Sequence, residues 1–219
     1  MTAEADGASE AGFVLAGGRS SRMGRDKALE LFGGRRLVEI ALETLREAGV
    51  VASIAGARSD LGGYGAVVED IEPDQGPLGG ICAALGWTIA ERAVFVSVDQ
   101  PLLPASLISY LLEHARISGR AATLCSVNGF VQTFPVVLGK GAVDCLEKSL
   151  QSGQRGCYAA FQSAAEALGE PVSVLPVEVL VQCGQVVDSR ALPPAWWFLN
   201  VNTPADLARA ESIVQGRLR

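Results

Sequence analysis

A glycine-rich segment with several cationic residues follows the first apolar run of this 219-residue chain. The run 13–16 ends at Gly17 and Gly18, and four cationic residues follow closely: Arg19, Arg22, Arg25 and Lys27. Glycines let the backbone approach a ligand and point several N–H groups at it, which suits a phosphate chain. The spacing matches neither a Walker A loop nor a dinucleotide-binding fingerprint. The segment therefore predicts a polyanion site of another kind, and the alternative is an ordinary glycine-rich connection with solvated arginines.

Two carboxylates also follow apolar runs. Asp99 comes directly after the run 94–98, and Asp70 comes after Val67-Val68, next to Glu69. A carboxylate at the mouth of a parallel sheet is costly to bury unless it meets a cation, and Mg²⁺ is held by one or two carboxylates plus substrate phosphates. Asp99 is thus a candidate Mg²⁺ ligand, with a turn-capping role as the alternative. For Asp70 the alternative is a solvated acidic turn.

The elements that must position these residues alternate between strand and helix. The apolar patterns predict strands at 13–16, 50–55, 66–68, 93–98, 121–127, 130–138 (with Pro135 as an interruption) and 172–180. They predict helices at 37–48, 80–90, 104–116, 142–150 and 157–167, and a last helix that begins with Thr203, Pro204 and Asp206. This order is typical of an α/β, Rossmann-like three-layer fold whose mostly parallel central sheet is covered by helices on both faces. Because ligands bind outside the carboxyl ends of such strands, the glycine segment, Asp70 and Asp99 should converge on one edge.

The bulk composition narrows the class of protein. A net charge of −6 argues against a nucleic-acid partner, which usually needs a basic face. Residues 1–11 are small and acidic, which predicts a disordered leader and not a signal peptide, and no apolar run has the length of a membrane span. Five cysteines without a Cys-x-x-Cys pair indicate neither a disulfide framework nor a zinc site, so we expect a cytoplasmic protein. His114, the single histidine, is expected to have a structural or surface role.

The glycine segment also carries a family resemblance. From Leu15 to Lys27 the sequence reads Leu-Ala-Gly-Gly-Arg-Ser-Ser-Arg-Met-Gly-Arg-Asp-Lys, which resembles the N-terminal signature of the MobA-like nucleotidyltransferases. Within that superfamily it is most similar to the molybdenum cofactor guanylyltransferases. The resemblance continues in the same order through four segments: Glu69-Asp70, Gln75-Gly-Pro-Leu-Gly-Gly80, Val98-Asp-Gln-Pro101 and Asn200-Val-Asn-Thr-Pro204. It therefore spans nearly the whole chain.

The resemblance implies an enzyme that transfers GMP from GTP to a molybdopterin-type molybdenum cofactor with Mg²⁺, releasing pyrophosphate. It implies one domain at 12–219, with a nucleotide half at 12–127 and an acceptor half at 128–219. It is also compatible with transient contacts with cofactor-synthesis proteins or molybdoenzymes. Three alternatives stay open: a cytidylyltransferase on the same cofactor, a sugar-phosphate nucleotidyltransferase, and a non-catalytic nucleotide-binding or cofactor-delivery module.

The resemblance also assigns roles to residues. The implied catalytic residues are Arg22, Lys27 and Asp99, with Asp99 as the metal ligand. The implied nucleotide-binding residues are Leu15, Ala16, Gly17, Gly18, Lys27, Asp70, Gly76, Pro77, Leu78 and Asp99. Asn200 and Asn202 are implied on the acceptor side, where one of them could bind the ligand while the other fixes the loop.

Overall fold

The structure is a computed structural model that describes residues 9–17, 26–56, 58–70, 72 and 75–216. Nine strands form in this part of the chain: β1 Glu10–Leu15, β2 Leu31–Phe32, β3 Arg35–Arg36, β4 Val51–Ala55, β5 Val67–Val68, β6 Arg92–Ser97, β7 Ala122–Val127, β8 Phe130–Gly139 and β9 Ser173–Pro176. The α-helices within the same ranges are α1 Leu37–Glu47, α2 Gly76–Trp87, α3 Ala105–Ser118, α4 Val143–Gln151, α5 Cys157–Ala167, α6 Val177–Gln182, α7 Pro194–Trp197 and α8 Pro204–Val214. Three short 3₁₀ turns lie at Lys27–Leu29, Ser59–Leu61 and Lys140–Ala142.

Seven of the strands form one sheet in the order β5-β4-β1-β6-β8-β7-β9. The four strands from β5 to β6 are parallel, and β7 and β9 are parallel to each other. Only β8, of the described strands in this sheet, runs antiparallel to its neighbours β6 and β7. The predicted mostly parallel sheet is confirmed.

Helices cover both faces of the sheet because side chains alternate along the buried strands. Val14 and Val94 belong to a core shared with α1, α3 and α8, whereas Phe13 and Phe95 belong to a core shared with α2, α4 and α5. Phe13 and Phe95 are paired across β1 and β6 and stack with ring centroids 5.4 Å apart. The strands are thus apolar on both sides, as expected for a three-layer α/β fold.

The chain order creates a switch point between β1 and β6. From β1 the chain passes through α1 to β4 on one side, and it later returns to place β6 on the other side of β1. The connections that leave the carboxyl ends of β1 and β6 therefore diverge, which opens a crevice there. Ligands of open α/β sheets bind at such crevices.

Several element boundaries differ from the sequence-based prediction. β1 begins at Glu10, inside the range 1–11 expected to be a leader, whereas residues 1–8 of that leader lie outside the described residues. α2 begins at Gly76 instead of residue 80, because Pro77 is compatible with a first helical turn. Pro135 does not interrupt β8: it lies where the register with β7 shifts, and proline is tolerated at such a bulge.

The strand predicted at 172–180 is correct only in its first half. β9 ends at Pro176, and the following residues form α6. Val177 and Leu180 are buried, whereas Val179 and Val181 are exposed, so the burial follows a helical period that the β-branched composition concealed. Among the helices of the described ranges, none combines the length and the apolar composition needed to cross a bilayer.

Candidate active site

A cavity of about 440 Å³ opens at the carboxyl ends of the four parallel strands from β5 to β6. Each strand contributes a residue that follows it: Asp70 after β5, Gly56 after β4, Gly17 after β1 and Asp99 after β6. The predicted convergence on one edge of the sheet is therefore observed for these segments.

Lys27, Asp99 and Asn202 meet at the centre of this cavity. The Lys27 ammonium donates to Asp99 Oδ2 at 3.0 Å and also to Asn202 Oδ1. The second Asp99 oxygen accepts from the Ser97 hydroxyl at 2.5 Å. The backbone N–H of Val201 donates to the Asp99 carbonyl at 2.8 Å, which fixes the Asn202 segment beside β6. Two oxygen atoms from distant parts of the chain thus converge on one cationic group.

Asp70 lies at the β5 end of the cavity, where its Oδ1 atom is buried. Gly80 of α2 is close to it: a Cβ atom built on Gly80 would lie 3.3 Å from Asp70 Oδ1. A residue larger than glycine at position 80 would therefore crowd this carboxylate. The first turns of α2 and the end of β5 therefore lie close together at this end of the cavity.

The loops after β1 and β4 touch at two glycines. Gly56 has a φ of +133°, and a Cβ atom there would lie 2.9 Å from the backbone nitrogen of Gly17. Both the backbone conformation and the close approach require glycine at position 56. Between β1 and β4, the surface of the cavity is therefore formed by backbone atoms of these two glycines.

Arg58, which follows β4 and also lines the cavity, is buried, with only 5% of its surface exposed. Its guanidinium group forms hydrogen bonds to both carboxylate oxygens of Asp60, to both of Asp26, and to the Ala16 carbonyl at 3.2 Å. These bonds, first of all those with Asp60, raise the pKa of Arg58 above its ordinary value. Arg58 therefore links the end of β1, its own loop and the residue before Lys27 through a permanent charge.

The cavity brings together most of the residues predicted from the sequence. Those that line it are Leu15, Ala16, Gly17, Lys27, Asp70, Gly76, Pro77, Asp99 and Asn202. Leu78 instead points into the core on the α2 side, and Asn200 is exposed and does not belong to the lining. Asn200 and Asn202 thus differ in environment, since only Asn202 lines the cavity and accepts from Lys27. Gly18 and Arg22 lie outside the described residues, as do Arg19 and Arg25.

Several further lining residues were not assigned a site role from the sequence, among them Asp26, Arg58, Ser97 and Phe134. Asp26 stands inside the quoted motif, so its position next to Lys27 was a usable signal. Arg58 and Ser97 carry no local signal, because their partners are distant or depend on strand geometry. Phe134, the one aromatic side chain among the described lining residues, belongs to β8, the neighbour of β6 in the sheet.

The histidine and cysteine side chains of the described residues have structural surroundings. His114 Nε2 lies 3.0 Å from the Ser173 hydroxyl, far along the sheet from the cavity. Burial raises the pKa of the Cys82 thiol to about 12 and that of Cys157 to about 11, so both stay protonated near neutral pH. A protonated thiol is a poor nucleophile, which agrees with a packing role.

We therefore expect unequal alkylation of the cysteines at pH 8. The exposed Cys183 should react with iodoacetamide in the native protein, whereas Cys82, Cys125 and Cys157 should react only after unfolding. Peptide mass spectrometry before and after denaturation measures this difference. Labelling of Cys82 as fast as Cys183 in the native protein would contradict the packing role.

Comparisons with known proteins agree on one family. The family model of the MobA-like NTP transferase domain matches residues 12–171. The molybdenum cofactor guanylyltransferase of Rhizobium meliloti is 32% identical over 211 residues, which cover 91% of this chain and 89% of that protein. The probable molybdenum cofactor guanylyltransferase of Haloferax mediterranei is also 32% identical, with coverage of 92% and 93%.

A third relative and a solved structure are also similar to this chain. The molybdenum cofactor guanylyltransferase of Xanthomonas euvesicatoria is 46% identical over 103 residues, so the match spans about half of that protein (52%) and 46% of this chain. The crystal structure of molybdopterin-guanine dinucleotide biosynthesis protein A from Archaeoglobus fulgidus has a TM-score of 0.74 at 22% identity, covering 94% of this chain and 99% of that one. The structural likeness confirms the predicted fold.

Proposed function

Since the chain belongs to the MobA-like NTP transferase family, we propose that it transfers GMP from GTP to a molybdopterin-type molybdenum cofactor and releases pyrophosphate. The observation that carries the proposal is the single cavity in which Lys27, Asp99 and Asp70 face one edge of the sheet. The relatives that share the family over nine-tenths of the chain are named as guanylyltransferases of this cofactor.

The strand order supports a layout for the two substrates. Asp70 follows the edge strand β5, Gly17 and Asp99 follow the central strands, and Phe134 lies on β8. The guanine base fits the Asp70 end, where a carboxylate can accept from its N1–H and N2–H₂ groups. The triphosphate fits the centre, beside the Lys27 ammonium and the backbone of Gly17. The acceptor then approaches from the side of β8 and Asn202.

Mg²⁺ fits the centre of the same cavity. Asp99 Oδ2 and Asn202 Oδ1 already converge on one cation, the Lys27 ammonium, so both oxygens can face a common positive charge. One carboxylate with an amide oxygen and substrate phosphates is a donor set that Mg²⁺ accepts. Bound there, the ion would neutralise negative charge on the triphosphate and hold it in place.

The residues of the chain then have separate tasks in the transfer. An oxygen of the acceptor's phosphate attacks the α-phosphorus of GTP, the new P–O bond forms, and the bond from the α-phosphorus to the bridging oxygen breaks. Lys27 neutralises the charge that grows on the leaving pyrophosphate. The acceptor phosphate is already ionised at neutral pH, so no side chain needs to remove a proton. The chain therefore contributes mainly by positioning the two substrates and by stabilising the negative charge of the phosphates.

Pyrophosphate release is the direct test of the proposed function. The purified protein should release pyrophosphate from GTP only when Mg²⁺ and molybdopterin-type cofactor are both present. The same assay with CTP separates the guanylyltransferase from the cytidylyltransferase. A third assay, with a sugar phosphate in place of the cofactor, tests for a sugar-phosphate nucleotidyltransferase. Release with CTP but not GTP would overturn the base assignment. Binding of GTP without any transfer would support a binding module instead.

Replacement of Asp70 is expected to weaken the choice of base. Asp70 can accept from the N1–H and N2–H₂ groups of guanine, which adenine and cytosine do not present. The loss of such hydrogen bonds costs about 1–3 kcal/mol, so the parent protein should prefer GTP over ATP and CTP at least about tenfold. Asp70→Ala should reduce this ratio more than it reduces turnover with GTP. Competition assays with mixed nucleotides measure the ratio.

Glu69→Ala is the matched control for this prediction, because Glu69 is the neighbouring acidic residue, is exposed and lies outside the cavity lining. It should leave the preference for GTP intact. If Asp70→Ala retains the full preference, the carboxylate serves the ribose or the turn and does not select the base.

A further inference from the structure

We propose that Arg58 is a positioning residue for Lys27. Its guanidinium group holds Asp26, the residue directly before Lys27, against the end of β1, and so directs the Lys27 ammonium toward Asp99. The placement concerns the ligand-free protein, whereas its effect on turnover rests on the proposed function.

The first step is the double pairing between Arg58 and Asp26. Arg58 Nη1 donates to Asp26 Oδ1 at 3.1 Å, and Nη2 donates to Asp26 Oδ2. The Arg58 side chain is 6% exposed, whereas Asp26 is about one-third exposed. Charge-assisted, bidentate bonds of this kind fix the orientation of both partners as well as their distance. Asp26 therefore cannot rotate away without breaking two charge-assisted bonds to a buried guanidinium group.

The second step is the bond from Arg58 to β1. Arg58 Nη1 also donates to the carbonyl of Ala16, the residue after β1. Ala16 is itself held in the sheet, since its N–H donates to the Ala55 carbonyl at 3.1 Å. Through Arg58, the position of Asp26 is thus fixed relative to the central strands of the sheet as well as to a neighbouring loop.

The third step transmits this position to Lys27. Asp26 is the N-cap of the 3₁₀ turn Lys27–Leu29, and its Oδ1 accepts from the Ala28 N–H at 3.0 Å. Ala28 is buried in the core, so the turn is anchored on both sides of Lys27. The same Asp26 carboxylate thus binds the guanidinium group and begins the turn that carries the lysine. The Lys27 ammonium then reaches Asp99 at 3.0 Å.

Asp60 provides a matched control within the same cluster. It accepts from Arg58 Nε at 2.9 Å and from Nη2 at 2.8 Å, but its side chain is 58% exposed and it makes no part of the path from Arg58 to Lys27. Asp60→Asn therefore disturbs the Arg58 cluster without touching Asp26. If both Arg58→Gln and Asp60→Asn displace Lys27, the cause is a general disturbance of the cluster. If only Arg58→Gln displaces Lys27, the displacement is transmitted through Asp26.

NMR of the ligand-free full chain tests the placement directly. The chain has three lysines, Lys27, Lys140 and Lys148, so protein labelled with ¹³C at the lysine ε-carbon gives three resonances. Asp99→Asn defines the resonance position of Lys27 without its ion pair. In Arg58→Gln the Lys27 resonance should move at least halfway to that position, while the Lys140 and Lys148 resonances and the Asp60→Asn spectrum stay unchanged. If Arg58→Gln fails to fold, Asp26→Asn replaces it in the test, because asparagine is a good N-cap but carries no charge. This variant should move the Lys27 resonance in the same direction.

A Lys27 resonance that stays in place in a folded Arg58→Gln or Asp26→Asn protein overturns the proposal. An equal movement in Asp60→Asn overturns it as well. Both results stand whether or not the chain uses GTP, so this arm is independent of the proposed function.

A double-mutant cycle tests the consequence for turnover. Arg58→Gln should lower kcat/KM for pyrophosphate release by about tenfold, and adding it to Lys27→Ala should change that variant's rate by less than about twofold, since both changes remove the same placed charge. If Arg58 only stabilises the fold, Arg58→Gln lowers the melting temperature, and the losses of rate from Arg58→Gln and Lys27→Ala multiply in the double variant. Multiplied losses, about tenfold beyond Lys27→Ala alone, would therefore refute transmission through Lys27.

Discussion

Asp99→Ala is expected to reduce Mg²⁺-dependent pyrophosphate release by at least about a thousandfold, the largest effect of any single substitution in the cavity. The carboxylate is the proposed metal ligand, and a bound metal supplies several kcal/mol of charge stabilisation in the transition state, which corresponds to a factor of this size. The fold should survive, because the contact of residue 99 with Val201 uses the backbone carbonyl and not the side chain. Thermal unfolding checks the fold, and the release assay measures the loss.

Ser97→Ala is the control for Asp99→Ala. It removes the hydroxyl that donates to Asp99 Oδ1 but leaves the carboxylate in the cavity. We expect a loss of about ten- to a hundredfold, which corresponds to the roughly 1.5–3 kcal/mol of one hydrogen bond to a charged group. Near-normal release from Asp99→Ala at saturating Mg²⁺ would refute the assignment of Asp99 as metal ligand.

Lys27→Ala is expected to slow transfer by about a hundredfold and to weaken nucleotide binding. The ammonium is the proposed partner of the leaving pyrophosphate, and removal of one such preorganised donor costs roughly 10²–10³ in rate. The loss should be larger in kcat than in nucleotide affinity, because the charge on the pyrophosphate grows in the transition state. Steady-state kinetics with varied GTP separates the two quantities.

Lys148→Ala provides the control for this change, since Lys148 is an exposed lysine on α4, away from the cavity. It alters the net charge equally and should leave both kinetic constants unchanged. Unchanged constants in Lys27→Ala would mean that the turn around Lys27 serves the fold alone.

Local patterns were sufficient to predict the sheet and the centre of the site. An apolar run that ends in glycine or aspartate marks both a buried strand and its carboxyl end, so Gly17 and Asp99 could be placed on one edge before their distance was known. Asp70 followed from the same rule. The parallel direction of β1, β4 and β6 agrees with the alternation of strand and helix that the periodicity predicts.

Features that depend on contacts between distant residues could not be predicted. Arg58 and Asp26 are separated by 32 positions, and nothing in either neighbourhood indicates that they pair. Leu78 was grouped with nucleotide-binding residues because it stands in the motif, yet its place on α2 turns it into the core. The residues of α6 were assigned to a strand because valine favours strands, although tertiary burial selected a helix.

The pairing of Lys27 with Asn202 joins residues 175 positions apart and has a consequence for protein synthesis. A ribosome delivers the chain in sequence order, so Gly17, Lys27 and Asp99 emerge long before Asn202. A growing chain that has released only β1 to β6 carries Gly17, Lys27 and Asp99 but lacks the amide that contacts Lys27. The lining of the cavity is therefore complete only after α7 and the Asn202 segment have left the exit tunnel.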